Sequence, residues 1–221
     1  MLFRSRGSGG GYIDPGSHPN EAQVDYDDSD WQHIQLPHDG IISNPKGNRP
    51  SQKACPDGCS GRSFIPRHVL WYRKEFRLPL TWDREVMAGD SSIVLQFDGS
   101  FRNTTVYVNG NRVFNHESGY TPFHIRLTAE DLESSSSSES ERVHTIAVFV
   151  DPDNGDGKPR ASYYSGSGWW YEGGGVYRRV TLTKINNRAH VSLSDGVFVK
   201  TTHIAWADED SKEDKIKGKL V

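Results

Sequence analysis

The stretch Phe97-Asp-Gly-Ser-Phe-Arg-Asn-Thr-Thr-Val-Tyr-Val-Asn-Gly110, continuing as Asn111-Arg-Val-Phe-Asn-His116, decides the fold. Thr104–Val108 is β-branched and aromatic, and Asn109-Gly110 closes it with the residue pair best suited to a tight two-residue hairpin. Arg112–Glu117 then reads as the return strand. Upstream, Ser91–Asp98 alternates through Ile93, Leu95 and Phe97, and Trp71–Leu78 places Tyr72, Phe76 and Leu78 on one face. Downstream, His144–Asp151 and Val176–Thr183 carry the same signal, followed by Ala189–Leu193 and Val197–Thr202, with a further strand expected at Ile216–Val221. These are short β-rich runs separated by turn residues, and no stretch has a convincing helical period. The pattern predicts an all-β sandwich.

Working outward from the strands, the remaining segments look different. Residues 1–30 are rich in Gly, Ser, Asp and Pro and predict a loose lead-in. Gly40–Val69 is a long Pro-, Gly-, Asn- and Ser-rich connection of the kind that is usually functional or disordered. Ser134–Ser138, flanked by acids, predicts a solvated insertion. From Ala207 the chain becomes a run of mixed charge.

Composition narrows the function classes. The 221 residues are 34% hydrophobic and include 22 glycines, enough apolar material for a folded core. Lys plus Arg is 26 against 29 for Asp plus Glu, a net charge of −3. Such a balance disfavours a nucleic-acid partner held by bulk charge. No apolar run approaches the ~20 residues that span a bilayer, and the first residues lack the apolar core of a signal peptide. No membrane partner is expected, and the compartment stays open. Cys55 and Cys59 cannot form a disulfide framework, and no second Cys pair or paired His completes a zinc site, so no metal or cofactor is expected.

Four segments in order resemble the N-terminal sugar-binding domain of family 2 glycoside hydrolases, the β-galactosidase, β-mannosidase and β-glucuronidase group. They are Leu36-Pro-His-Asp39, Trp71-Tyr-Arg-Lys-Glu-Phe76, the Phe97–Gly110 run with its continuation His116-Glu-Ser-Gly-Tyr-Thr-Pro-Phe123, and Gly168-Trp-Trp-Tyr-Glu-Gly-Gly-Gly-Val-Tyr-Arg-Arg-Val180. The β-galactosidase-like members are the most similar. The resemblance implies a jelly-roll β-sandwich, galactose-binding-domain-like, over 31–186. It also implies the beginning of an immunoglobulin-like β domain over 187–221, with a catalytic TIM barrel beyond.

A barrel typically needs about 250 residues, so the catalytic machinery is expected to lie outside this chain. Retaining glycosidases require two carboxyl groups about 5–5.5 Å apart. Asn20-Glu21 has the residue order of the family's acid/base but sits in the polar lead-in, and no catalytic residue is assigned. The resemblance makes Pro37-His38-Asp39 a structural turn, with Gly40 standing where the family has Trp.

Sugar sites pair flat aromatic faces with hydrogen-bonding groups. Trp169, Trp170, Tyr171 and Glu172 have that composition, and neighbouring glycines allow sharp turns. They are the candidate substrate-binding residues. Packing of both tryptophans against the barrel is the competing role. In several family members an Asp of this region reaches the sugar, and Trp169 occupies that position here. Tyr120 and Phe123 are expected in the core or an inter-domain seam. Arg62, Arg67 and His68 precede a strand that borders the pocket in the family. The chain thus reads as the non-catalytic sugar-binding domain of a β-glycosidase, with a carbohydrate and a catalytic barrel as partners. An autonomous carbohydrate-binding module, or a truncated product without a ligand, are the rivals.

Overall fold

The computed structural model describes residues 2–8, 19–43, 68–133, 142–152, 173–192, 196–201 and 219–220. Among them the strands are β1 (Leu2–Ser8), β2 (Gln32–Gln35), β3 (Val69–Phe76), β4 (Ser91–Phe97), β5 (Asn103–Val108), β6 (Asn111–His116), β7 (Phe123–Leu127), β8 (His144–Asp151), β9 (Val180–Asn186), β10 (Val199–Lys200) and β11 (Lys219–Leu220). Two helices join them, α1 (Gly40–Ser43) and α2 (Leu80–Met87). A six-stranded sheet, ordered β2-β1-β3-β8-β5-β6, faces a three-stranded sheet, β7-β4-β9, and β10 pairs with β11. Every pairing is antiparallel. The all-β sandwich expected from the sequence is therefore the fold.

The deciding hairpin forms as its residues require. Asn109 and Gly110 both have positive φ, 49° and 84°, the backbone that a primed turn needs between β5 and β6. Alternation then sorts each strand. Tyr72, Leu95, Phe97, Val106, Val108, Ile146 and Val148 point between the sheets and make the main core. Phe97 stacks on Phe123 there, with ring centroids 4.7 Å apart.

The outer face of the large sheet carries a second, smaller core of Val69, Trp71, Tyr107, Ala147 and Phe149. Ala22 and Trp31 cover it. Arg73, only 3% exposed, donates to the carbonyls of Glu21 and Gln23 at 2.6 and 2.9 Å and pairs with Asp28 at 3.2 Å. Asp28 also pairs with Arg4 of β1 at 2.9 Å. Residues 2–8 and 19–30, expected as a loose lead-in, instead supply the strand next to the sheet's β2 edge and a strap across the sheet. Burial of β8 at all eight positions follows, because both of its faces are covered.

Other departures are local. No helix was expected where α2 lies, an eight-residue helix opened by Pro79. Two turns are too few for periodicity to emerge, and only Asp83 and Val86 are buried. The strand expected from Val176 begins at Val180, and residues 189–192 are not strand. The Ser134–Ser138 insertion and both cysteines lie outside the described residues. No helix among the described residues is long and apolar enough to cross a membrane.

Candidate functional site

Strand direction brings the motif segments to one end of the sandwich. β3 starts there at Val69, β8 ends there at Asp151 opposite Asn103 of β5, and β4 ends there at Phe97 opposite Val180 and Phe123. The connections at this end are 36–43, 98–102 and 117–122, and Pro152 and Gly173 lie here too. This is the loop end.

Its centre is a junction between two motifs. The Leu36–Pro37 bond is cis, and beyond it His38 N–H donates to Val176 C=O at 2.9 Å while Gly40 N–H donates to Gly174 C=O at 2.8 Å. Asp39 Oδ1 accepts from the N–H groups of Ile41 and Ile42 at 2.9 and 3.3 Å, capping the short α1 turn. The turn role expected for Pro37-His38-Asp39 is what the structure builds. On its other side, Gly175 exchanges two 2.9 Å backbone hydrogen bonds with Phe101.

The hydroxyl of Tyr72, a fully buried residue, sits under this junction. It lies 3.1 Å from His38 Nδ1 and hydrogen-bonds the Val176 backbone and the Ser5 side chain. Burial holds its pKa well above the usual phenol value. Gly175 has φ 120°, and a Cβ there would fall on the Tyr72 hydroxyl and 2.9 Å from His38 C=O. Only glycine fits. A Cβ on Gly174 would lie 2.6 Å from Ile41 Cγ1 and 3.2 Å from Pro152 Cβ, so the two stems flanking residues 153–172 run side by side. Burial lowers the pKa of His38, with Asp39 opposing the shift. Nε2 of His38 is buried without a hydrogen-bond partner among the described residues.

The neighbouring 117–121 turn is also fixed. Tyr177 O–H donates to Gly119 C=O at 2.7 Å, and Gly119 packs on the Phe101 ring. Tyr120 is 60% exposed and stands edge-on to Phe101, whereas Phe123 is core. The two aromatics grouped together from sequence thus divide.

Trp169, Trp170, Tyr171 and Glu172 lie outside the described residues, as do Arg62 and Arg67; the described chain resumes at Gly173, where it meets the junction. Asn20-Glu21 lies on the strap, and Gln23 beside it approaches Gly110 at the opposite end of the sandwich. Sequence reasoning missed Tyr72 as a member of this end. Its signal was present in the Trp71-Tyr72 pair, one aromatic for each face of a strand. Among the described residues no group of three or more His, Cys, Asp or Glu side chains could hold a metal.

The architecture is that of an antiparallel β-sandwich domain with several of its described connections gathered at one end. No protein-family profile matches the chain. It is 29% identical over 183 residues to the β-galactosidase BoGH2A of Bacteroides ovatus, covering 83% of this chain and 18% of that protein. It is 28% identical to a putative β-glucuronidase of Formosa agariphila, covering 84% of this chain and 15% of the relative. Among solved structures, a family 2 glycosyl hydrolase from Bacteroides cellulosilyticus superposes with TM-score 0.56 at 26% identity, over 84% of this chain and 20% of that one. In sequence and in fold the chain is similar to one part of family 2 glycoside hydrolases. It spans less than a fifth of the length of these two curated relatives.

Proposed function

We propose that the chain is the sugar-recognising β-sandwich domain of a family 2 β-glycosidase, with a β-galactoside or β-glucuronide as the ligand class. The observation that carries this reading is the convergence of the motif segments on Gly175 at one end of the sandwich. Residues 169–172 immediately precede that point. Trp169, Trp170 and Tyr171 offer flat faces to sugar C–H groups, and Glu172 offers an acceptor to hydroxyls. The larger enzyme would supply the acid and nucleophile at their required separation. The sandwich then runs to residue 186. A second, immunoglobulin-like β unit begins beyond it, a reading supported by the exposed Val191, Val197, Phe198 and Val199, which await cover.

The test is titration of the 221-residue chain with methyl β-galactoside and methyl β-glucuronide, followed by NMR. Dissociation constants in the millimolar range are expected, on the order of −4 kcal/mol, since one wall of a pocket encloses little. Trp169→Ala or Trp170→Ala should abolish binding, while Asn20→Ala should not change it. The chain alone should not hydrolyse nitrophenyl β-galactoside. Binding that survives both tryptophan substitutions would refute the assigned site.

A further inference from the structure

We propose that Asn109 is a gated deamidation site: the docked hairpin blocks its conversion to aspartate or isoaspartate, and release of residues 131–133 and 144–145 permits it. The site lies at the end of the sandwich opposite the Gly175 junction and is independent of the sugar-binding reading. An asparagine followed by glycine is the pair most open to this chemistry, because no side chain shields the following backbone nitrogen. The chain has two such pairs, Asn109-Gly110 and Asn154-Gly155, and the second lies outside the described residues. Losing its proton, Gly110 N would bond to Asn109 Cγ; the Cγ–Nδ2 bond breaks, and Nδ2 leaves with that proton as ammonia. Water then opens the five-membered imide at one carbonyl or the other, giving aspartate or isoaspartate.

Both reacting groups are pinned in the folded chain. Asn109 Oδ1 accepts from Thr145 N–H at 3.0 Å, and Nδ2 donates to the carbonyls of Asp131 and Glu133 at 3.3 and 3.4 Å. Asn109 N–H donates to Thr145 C=O at 2.9 Å, and the positive φ of both turn residues belongs to the tight turn between β5 and β6. Gly110 is buried beneath the strap, with Gln23 Oε1 3.2 Å from where a Cβ would stand. For Gly110 N to reach Cγ, the side chain must turn out of these hydrogen bonds and the peptide out of the hairpin. Opening of this end is therefore the gate, and the rate follows the open population. The product does not close again in the same way. The oxygen that replaces Nδ2 faces two carbonyls and His144 Nδ1, 3.3 Å away, and of these only the fully buried His144 can answer it with a proton. In the unmodified chain burial favours the neutral ring, with Asp83 of α2 opposing and Arg142 reinforcing. Deamidation reverses that preference.

The 221-residue chain is incubated in mildly alkaline buffer, folded and in unfolding urea, and the tryptic peptide Asn103–Arg112 is sequenced by mass spectrometry for conversion at Asn109. The folded chain should convert at least about tenfold more slowly than the unfolded one. Arg142→Ala, which frees the start of β8 from α2, should speed conversion in the folded chain by roughly tenfold. Gly175→Ala, which strains the other end, should stay within about twofold of wild type, and Tyr72→Phe takes its place if it does not fold. Asn109→Asp should flatten or reverse the fall of melting temperature between pH 7.5 and 5.5 expected of wild type, because its carboxylate favours the charged His144. Equal rates in the folded and unfolded chain, or equal acceleration from substitutions at the two ends, would overturn the gate. A fall in Asn109→Asp as steep as in wild type would overturn the part given to His144.

Discussion

The two ends of the sandwich are closed by opposite means. At the loop end, backbone is held against backbone: glycines 174 and 175 let chain segments approach closely, and a single buried phenol joins them. At the far end, side chains fill the gap. There α2 lies over the strands with Asp83, only 2% exposed, paired to Arg142 at 2.7 Å. Asn109 sits nearby: its Oδ1 accepts from Thr145 N–H at 3.0 Å, and its Nδ2 faces His144 Nδ1 and the carbonyls of Asp131 and Glu133. Glu85 adds bonds to Ser91 and Lys184. An end built from side chains can be stable and still present nothing to a ligand. An end built from glycine and backbone leaves its surface to whatever its loops carry. On the proposed function, the difference gives stability to one end and recognition to the other.

The largest expected effect tests this division directly. Gly175→Ala should destabilise the chain by roughly 3 kcal/mol or more, combining left-handed-side backbone strain with overpacking against Tyr72 and His38. Arg142→Ala should remove about 2–3 kcal/mol, since it strands the buried Asp83 carboxylate, although the Arg142 side chain is itself 20% exposed. At roughly 2–4 °C per kcal/mol for a chain of this size, both appear clearly in a thermal melt. The contrast lies in sugar binding, which Gly175→Ala should abolish in the fraction that stays folded and Arg142→Ala should leave intact. Loss of binding in Arg142→Ala would break the division between the ends.

Acid should sharpen the comparison by a smaller amount. Burial lowers the pKa of His144, with Asp83 opposing and Arg142 reinforcing the shift; burial lowers His38 too, opposed by Asp39. A depressed folded-state pKa means that the unfolded chain takes up the proton first as pH falls. The stability is present in full above the unfolded value of about 6.5 and is lost as pH drops below it. The two histidines should not contribute equally. His38 faces the hydroxyl of Tyr72, which can reverse its donor direction together with Ser5. His144 faces the Asn109 amide, whose orientation is fixed by Thr145 N–H on one side and two carbonyls on the other. A proton on His144 Nδ1 would meet an N–H donor that cannot turn away. His144→Gln should therefore flatten the fall of melting temperature between pH 7.5 and 5.5 more than His38→Gln does. The reverse ranking would show that the backbone-built end is the acid-sensitive one.

How much of this was readable beforehand depends on the distance over which each signal acts. The Asn109-Gly110 turn, the alternation of Ile93, Leu95 and Phe97 and the sandwich that follows are local facts, so the sequence alone carried them. The strap was not local. Arg73 reaches back to Glu21, Gln23 and Asp28 across about fifty positions, and nothing in residues 19–30 announces a surface to lie on. A hint lay instead in the strands, where Trp71, Tyr107 and Phe149 are apolar on the face opposite the main core. The candidate site was half legible. Composition singled out residues 169–172, and the junction that begins at Gly173 is described, but its support by Tyr72 depends on a pairing between distant motifs. Alternation could place that ring in the core without saying where its oxygen goes.

The smallest effect expected is at the far end, in the segment between Leu132 and β8. Six serines among acids have little apolar surface to bury, and the anchors that matter stand on either side of them. Asn109 binds the carbonyls of Asp131 and Glu133 before the segment and both backbone groups of Thr145 after it. Arg142 is tied to Asp83. With both stems already held by residues outside the insertion, its length enters only through closure entropy, about 0.6 kcal/mol for each doubling. Replacing residues 134–141 by a short Gly-Ser link should therefore leave the melting temperature within roughly 2–4 °C of wild type, the shift that one kcal/mol produces. Asn109→Ala, which keeps the insertion and removes its anchor, should lower it further. A shortened chain that melts well below Asn109→Ala would show that the serine segment itself packs against the side-chain-built end, and that this end is closed by more than α2 and its ion pair.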